Sequence, residues 1–248
     1  MSRRKLLSTD NKYSRGIVVV CAGSKKYPGA ALLSVGGARA GNAGYIKFFS
    51  KSRELSLLVV SKYPDVVPIS ELKGQRVDAL LVGPGESSLP HIPKVPLVLD
   101  SAAISNVTKK QTRSKNQIIV ITPHEGELKY LGESYLRSLQ NLTRVEKAKK
   151  IANDFSVIVI LKGAGTVVAT PDQRVFIDEI GGAELATAGS GDLLAGLVAS
   201  MLVDVKNESD PFELVSTAVK LHSKAGRLAA KKFKTVTALE ILDCLPLV

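Results

Sequence analysis

The sequence predicts an α/β protein with a central, mostly parallel sheet flanked by helices on both faces. Two observations carry that prediction. Short β-branched runs recur along the chain, and they are continuously apolar instead of alternating, as strands covered on both faces are. Helical segments separate several of these runs, which is the pattern of strand, crossover helix and parallel strand.

The runs read as strands are "IVVVC" at 17–21, "LLVV" at 57–60, "ALLV" at 79–82, "LVL" at 97–99, "IIVI" at 118–121 and "VIVIL" at 157–161. A helix is expected in "GAALLSVGGARAG" after the first run, and another in "NLTRVEKAKKIANDF" before the last. "TVVATPDQRVFID" reads instead as an antiparallel hairpin around Thr170-Pro171-Asp172-Gln173. From residue 192 the chain reads as helical through "LLAGLVASML", "PFELVSTAVKLHSKAGRLAAKK" and "TALEILDCL". Pro211, just after Ser209-Asp210, sits where a helix start favours proline. The Pro-rich stretch 83–96 is expected to be a loop within the fold. With no repeat, low-complexity tract or linker, residues 1–248 are expected to form a single domain.

Composition narrows the function classes. No apolar stretch approaches the ~18 residues of a membrane span, and the basic start lacks the apolar core of a signal peptide. Cys21 and Cys244 form no CxxC pair, which argues against a disulfide framework or zinc site and suits a reducing cytoplasm. A net charge of +11 fits either a general Lys/Arg bias or attraction of phosphorylated ligands. Nucleic-acid binding is not expected, because the basic residues are dispersed and no recognised nucleic-acid motif occurs.

Familiar phosphate motifs are absent: there is no GxxxxGK[ST] and no complete GxGxxG. "GSKKYPGAALL" at 23–33 and "VGPGES" at 82–87 are strand-end turns, read either as plain tight turns or as ligand contacts. "ITPHEGELKYL" at 121–131 crowds polar groups after a buried strand, and His124 is expected to touch substrate. His124 with Glu125 or Glu127 offers a metal pair without an HExxH; alternatively Glu127 occupies a first helical turn, favoured by the dipole. In "LKGAGTVV", Lys162 is either a snorkelling edge lysine or, beside Gly163 and Gly165, a phosphate contact.

"ATAGSGDLLAGLVASML" at 186–202 begins a helix that is apolar on nearly every face. Thr187, Gly189, Ser190 and Gly191 supply an anion cradle at its start, where backbone N–H groups and the peptide dipoles favour negative charge. Asp192 is then either a helix N-cap or a base that removes a proton from a hydroxyl attacking a phosphoryl group.

In these segments together the chain resembles the ADP- or ATP-dependent NAD(P)H-hydrate dehydratases of the ribokinase-like superfamily. The likeness runs in order through "YPGAALL", "GPG", "LVLD", "TPHEGEL", "VIVILKGAGTVVA", "LATAGSGDLLAGLVASML" and "AVKLHSKAG". It implies a ribokinase-like fold and repair of NADH or NADPH hydrated on the nicotinamide ring. Asp192 is implied as the catalytic base, taking the proton of the ring hydroxyl, whose oxygen attacks the terminal phosphoryl of ADP. Lys162, Gly163, Ala164, Gly165, Thr166 and Gly191 are implied to hold the adenine nucleotide. Ala30, Gly85 and His124 are implied to contact the hydrated dinucleotide. Magnesium and a homotetramer are also expected from the resemblance, and ADP as in bacterial members. The chain departs from the family pattern in three places. Ser101-Ala102 replaces part of an Asp-Ala-Asp, Gly182-Ala183 stands for Asn-Pro, and Asn42 is an extra residue. Two other readings share the same helix start: a ribokinase-like kinase for a small alcohol, and a catalytically weakened nucleotide-binding protein.

Overall fold

The computed structural model describes residues 4–89, 93–108, 117–207 and 209–248. Nine strands form one sheet in the order β3-β2-β1-β4-β5-β6-β7-β8-β9. They are β1 (Ile17–Cys21), β2 (Tyr45–Phe49), β3 (Val67–Ile69), β4 (Ala79–Val82), β5 (Leu97–Leu99), β6 (Ile119–Ile121), β7 (Ile158–Leu161), β8 (Val167–Ala169) and β9 (Val175–Ile177). Every pairing from β3 to β7 is parallel, and β7, β8 and β9 are antiparallel, including the expected hairpin. The chain winds outward from β1 to β3, then returns to place β4 on the other side of β1. That reversal leaves a crevice at the carboxyl ends of the strands, where open α/β sheets bind ligands.

One expected strand is a helix. "LLVV" at 57–60 lies in α2 (Arg53–Lys62), because Ser52 caps the segment by accepting a hydrogen bond from the Leu55 N–H at 3.2 Å. Glu54 in the first turn adds a favourable dipole interaction. The strand in this part of the chain is instead β2, "YIKFF", whose Lys47 interrupts the apolar run. Lys47 is nonetheless buried, its ammonium donating to Gln75 Oε1 at 2.8 Å. β3 carries Pro68, which a sheet tolerates at an edge. Of the expected Pro-rich loop, 84–86 form a tight helical turn and 90–92 lie outside the described residues.

Two apolar clusters fill the space on opposite faces of the sheet. The first packs α1 (Pro28–Arg39), α5 (Ser190–Met201), α6 (Pro211–Lys232) and α7 (Ala238–Cys244) on one face. The second packs the turns at 101–108 and 125–131 and α4 (Arg144–Phe155) on the other, with the short α3 (Glu133–Ser138) beside them. As the apolar sequence of α5 predicts, Leu193 to Met201 are all buried. α1 and α5 meet backbone to backbone: a Cβ at Gly196 would lie 1.9 Å from the Ser34 carbonyl oxygen, and one at Gly37 would lie 2.1 Å from that of Leu193. The glycines of "SVGGA" and "LLAGL" therefore set how close α5 stands to the sheet, and with it the position of the loop at its start. Among the described residues no helix is long and apolar enough to cross a membrane.

Candidate active site

A cavity of about 770 Å³ opens at the carboxyl ends of β5, β6 and β7 and is closed on one side by the start of α5. Its walls bring together segments far apart in sequence: Gly85, Asp100, His124, Lys162 with the 163–166 loop, and 186–192. Of the expected site residues, Ala30 and the alternative metal candidate Glu125, which pairs with Lys147 at 3.1 Å, are not in this wall. Ala30 supports the wall from within. It is buried on α1 directly behind Gly85, where a Cβ on Gly85 would lie 2.7 Å from the Ala30 Cβ.

The start of α5 shows why its sequence packs little. Gly189 is the N-cap, with φ 87° in the left-handed region, and a Cβ there would strike Leu33 Cδ1 at 2.2 Å. No side chain caps the helix, so the N-cap reading of Asp192 is not what the fold uses. Asp192 stands three positions further on, in the first turn, and its carboxylate faces the cavity. The Ser190 N–H donates to the Thr187 carbonyl at 3.3 Å, and the neighbouring N–H groups of Gly189 and Gly191 are left for a ligand, as an anion site requires.

Asp192 is held in an unusual electrostatic setting. Burial, together with repulsion from Asp100, pushes its carboxyl up to about 6; Lys162 pulls against this and Glu127 adds to it. A carboxylate so placed is ionised at neutral pH yet basic enough to accept a proton from a hydroxyl.

Lys162 is the hub of this cluster. Pro123, two residues past β6, accepts the Lys162 N–H on its carbonyl at 2.8 Å, so the lysine is anchored to the neighbouring strand end. Its Nζ lies 2.9 Å from Asp100 Oδ1 and 3.5 Å from Glu127 Oε2. Burial opposes its charge, but attraction to Asp100 and Glu127 outweighs that and holds the ammonium above its usual range. The side chain is not a snorkelling one: it turns inward, and a Cβ on Gly191 would meet Nζ at 3.1 Å.

Glu127 and His124 form a reciprocal cap. The Glu127 carboxylate accepts the His124 N–H at 2.9 Å, while His124 Nδ1 accepts the Gly126 N–H at 3.0 Å. The expected first-turn position of Glu127 is thus observed, at the start of a tight helical turn over Glu125–Leu131. Much of its capacity is spent on His124 and Lys162, and no group of three His, Cys, Asp or Glu suited to a metal occurs among the described residues. Asp100, Glu127, Asp178 and Asp192 are the carboxylates that line the cavity, and a magnesium ion carried in by phosphates would meet them while keeping most of its own water.

Three functional groups escape a reading of motifs. Asp100 ends "LVLD"; it is 3% exposed, and Thr122 Oγ1 donates to its Oδ1 at 2.5 Å. It is the carboxylate that persists where Ser101-Ala102 departs from the family pattern. Asp178 closes the hairpin: its oxygens accept the N–H groups of Ile180 and Gly181 and the Ser223 hydroxyl at 3.3, 3.1 and 2.6 Å. The 179–182 loop, with its Gly-Gly, is thereby folded around one buried carboxylate. His222, in "AVKLHSKAG", lies 3.0 Å from Ser190 Oγ through Nε2, and burial pushes its imidazole down to about 4. It braces the first residue of α5 as a neutral group. Asp100 and His222 lie in the family-like segments "LVLD" and "AVKLHSKAG", while Asp178 was marked only by its place at the end of the hairpin.

Fold and site together define a ribokinase-like nucleotide-binding α/β protein. A solved structure of a ribokinase-like superfamily protein from Enterococcus faecalis shares the fold, with a TM-score of 0.80 at 23% identity over 98% of this chain and 89% of that one. The family model for NAD(P)H-hydrate dehydratase matches residues 18–247, and the chain belongs to that family. It is 30% identical to the ADP-dependent (S)-NAD(P)H-hydrate dehydratase of Bacillus subtilis over 95% of this chain and 90% of that protein. The crystal structure of the Bacillus subtilis ADP/ATP-dependent enzyme, co-crystallised with ATP and Mg2+, superposes with a TM-score of 0.83 at 27% identity, covering 98% and 91% of the two chains. The bifunctional NAD(P)H-hydrate repair enzyme of Mycobacterium tuberculosis is 31% identical over 78% of this chain but only 42% of its own length. The chain thus spans about half the length of such bifunctional relatives.

Proposed function

We propose that this chain dehydrates hydrated NADH and NADPH at the expense of ADP. The observation that carries the proposal is Asp192, a carboxylate of raised basicity that lines the cavity from the first turn of α5, a helix start with no side-chain cap. In this reading the ring hydroxyl gives its proton to Asp192 and its oxygen attacks the terminal phosphoryl group, releasing AMP. The ring nitrogen lone pair then expels phosphate, and loss of a proton from the adjacent ring carbon restores the dihydronicotinamide. The products are NAD(P)H, AMP and phosphate.

The residues divide the work. Gly189 and Gly191 offer N–H groups to the charge passing between the two ligands, beside Ser190, whose own N–H donates to the Thr187 carbonyl. Thr187 and Lys162 to Thr166 line the nucleotide side, and Gly85 and His124 the dinucleotide side, with Ala30 supporting Gly85 from behind. Magnesium supplies neutralisation of phosphate charge. Preference for ADP over ATP, a homotetramer and a cytoplasmic location belong to the same reading; light scattering tests the tetramer.

Incubation with hydrated NADH, ADP and magnesium tests the reaction. Near-ultraviolet absorbance of NADH returns, and one phosphate appears per NADH formed. A small-alcohol kinase would instead leave a stable phosphate ester and no absorbance, and a weakened binder neither.

A further inference from the structure

A second cavity, of about 460 Å³, lies at the carboxyl ends of β1 and β2 and is lined by Phe49, Ser50, Lys51, Ser87, Ser88 and Leu89. Its size lies in the range of small-ligand pockets. Gly23 and Gly85 stand where the two cavities approach each other. Gly23 lines the second cavity and Gly85 the first, and a Cβ on Gly85 would lie 2.9 Å from the Gly23 Cα. The saddle is fixed from below: the Gly23 N–H donates to the Pro84 carbonyl at 2.8 Å, and Ser87 Oγ donates to the Cys21 carbonyl at 2.7 Å. Both glycines have positive φ, 81° and 66°, and a Cβ on either would run into α1, at Ala31 and Ala30 respectively, so only backbone stands at this point.

The chemistry of the second cavity is specific. Phe49 and Leu89 supply apolar wall, three serines supply hydroxyls, and Lys51 supplies a cation. Lys51 is exposed and has no carboxylate partner among the described residues. The buried Cys21 thiol is pushed up to about 12, so the cavity holds no reactive nucleophile.

We infer that this cavity takes the adenosine half of the dinucleotide, with its diphosphate crossing the Gly23–Gly85 saddle and Lys51 holding a phosphate of that half. The inference rests on the dinucleotide substrate proposed above. An elongated ligand with a flat group at each end matches two cavities joined by a bare ridge.

The test compares Lys51→Glu and Ser88→Trp with the parent chain, using hydrated NADPH and hydrated NADH. Lys51→Glu is expected to raise KM for hydrated NADPH about tenfold, the loss of one charge-assisted contact, with kcat and the KM for ADP unchanged. An equal rise with hydrated NADH places Lys51 on the shared diphosphate; a rise confined to hydrated NADPH places it on the ribose phosphate. Ser88→Trp, which fills the cavity from an exposed position, raises both dinucleotide KM values. Unchanged KM values in both variants overturn the inference while leaving the dehydration reading standing. If the parent chain turns over neither hydrate, that reading falls, and calorimetry with adenosine 2′,5′-bisphosphate under saturating ADP decides the cavity alone. Binding abolished by Lys51→Glu then supports it, and no binding, or binding indifferent to the substitution, overturns it.

Discussion

The Lys162 ammonium and the Asp100 carboxylate, 2.9 Å apart, join the ends of β7 and β5 across the intervening β6. Both act on Asp192 through space and in opposite senses: Asp100 raises its proton affinity, and Lys162 lowers it. The pair thus sets the acid limb of turnover. If Asp192 is the base it must be ionised, so activity falls as pH drops through about 6. Asp100→Asn should move that limb to lower pH, because a repelling charge is gone and Lys162 is freed toward Asp192. Lys162→Met should move it to higher pH. Profiles of kcat against pH for both variants check this, and shifts in the same direction would count against the pair as the tuning element.

Asp192→Asn separates base from cap. Turnover should fall ~10²–10⁴-fold, the usual contribution of a general base, while calorimetric ADP binding persists. The same change should stabilise the fold at pH 8. A carboxyl whose folded pKa is raised is favoured in its protonated form, so native stability declines as pH rises from about 4 to about 6. Asparagine removes that ionisation, and the gain at pH 8 should be on the order of 2 kcal/mol by urea denaturation. A variant no more stable than the parent would mean that the fold does not strain the carboxylate.

Much of this site was legible in the sequence, and the remainder fails for identifiable reasons. The glycine loop before α5 declared itself because its residues are adjacent and each glycine breaks an otherwise apolar pattern. The partnership of Asp100 with Lys162 did not, since 62 residues separate them and only the strand order brings their ends together. His222 was hidden on the interior of α6, where a buried histidine looks like any polar interruption. α2 was misread because local capping by Ser52 outweighed a β-branched run, and β2 because the buried Lys47 masked its strand. Long continuous apolar strands at the sheet centre were the easiest features to place.

The contact between α1 and α5 gives a stability prediction with an internal control. Gly196→Ala puts a methyl group 1.9 Å from a backbone carbonyl oxygen that cannot move without displacing α1. A loss of ~3 kcal/mol or more is expected, at the upper end of overpacking costs. Gly29→Ala, in the first turn of α1 with nothing within 4 Å of the new Cβ, should be neutral or gain ~0.5 kcal/mol. Urea midpoints of the two variants settle the contrast; similar midpoints would mean that α1 and α5 are not locked together.

His222 makes the same fold sensitive to acid. Its folded pKa lies near 4, below the ordinary 6.5, because burial disfavours the imidazolium. Between those values the unfolded chain binds a proton that the native chain refuses, so stability is lost as pH falls from about 6.5 toward 4. This runs opposite to Asp192, whose ionisation is relieved over the lower part of the same interval. His222→Gln keeps a polar group near Ser190 Oγ but removes the titration, so the variant should lose less stability than the parent between pH 7 and pH 4.5. At pH 8, where the parent histidine is neutral in both states, the variant should be the weaker of the two, because the 3.0 Å contact with Ser190 is imperfectly replaced. Its KM for ADP should also rise, since Ser190 opens the helix whose N–H groups face the phosphates. Denaturation curves at the two pH values, taken with the ADP titration, distinguish these effects. Parallel stability profiles for the two proteins would show that His222 does not titrate between its folded and unfolded states.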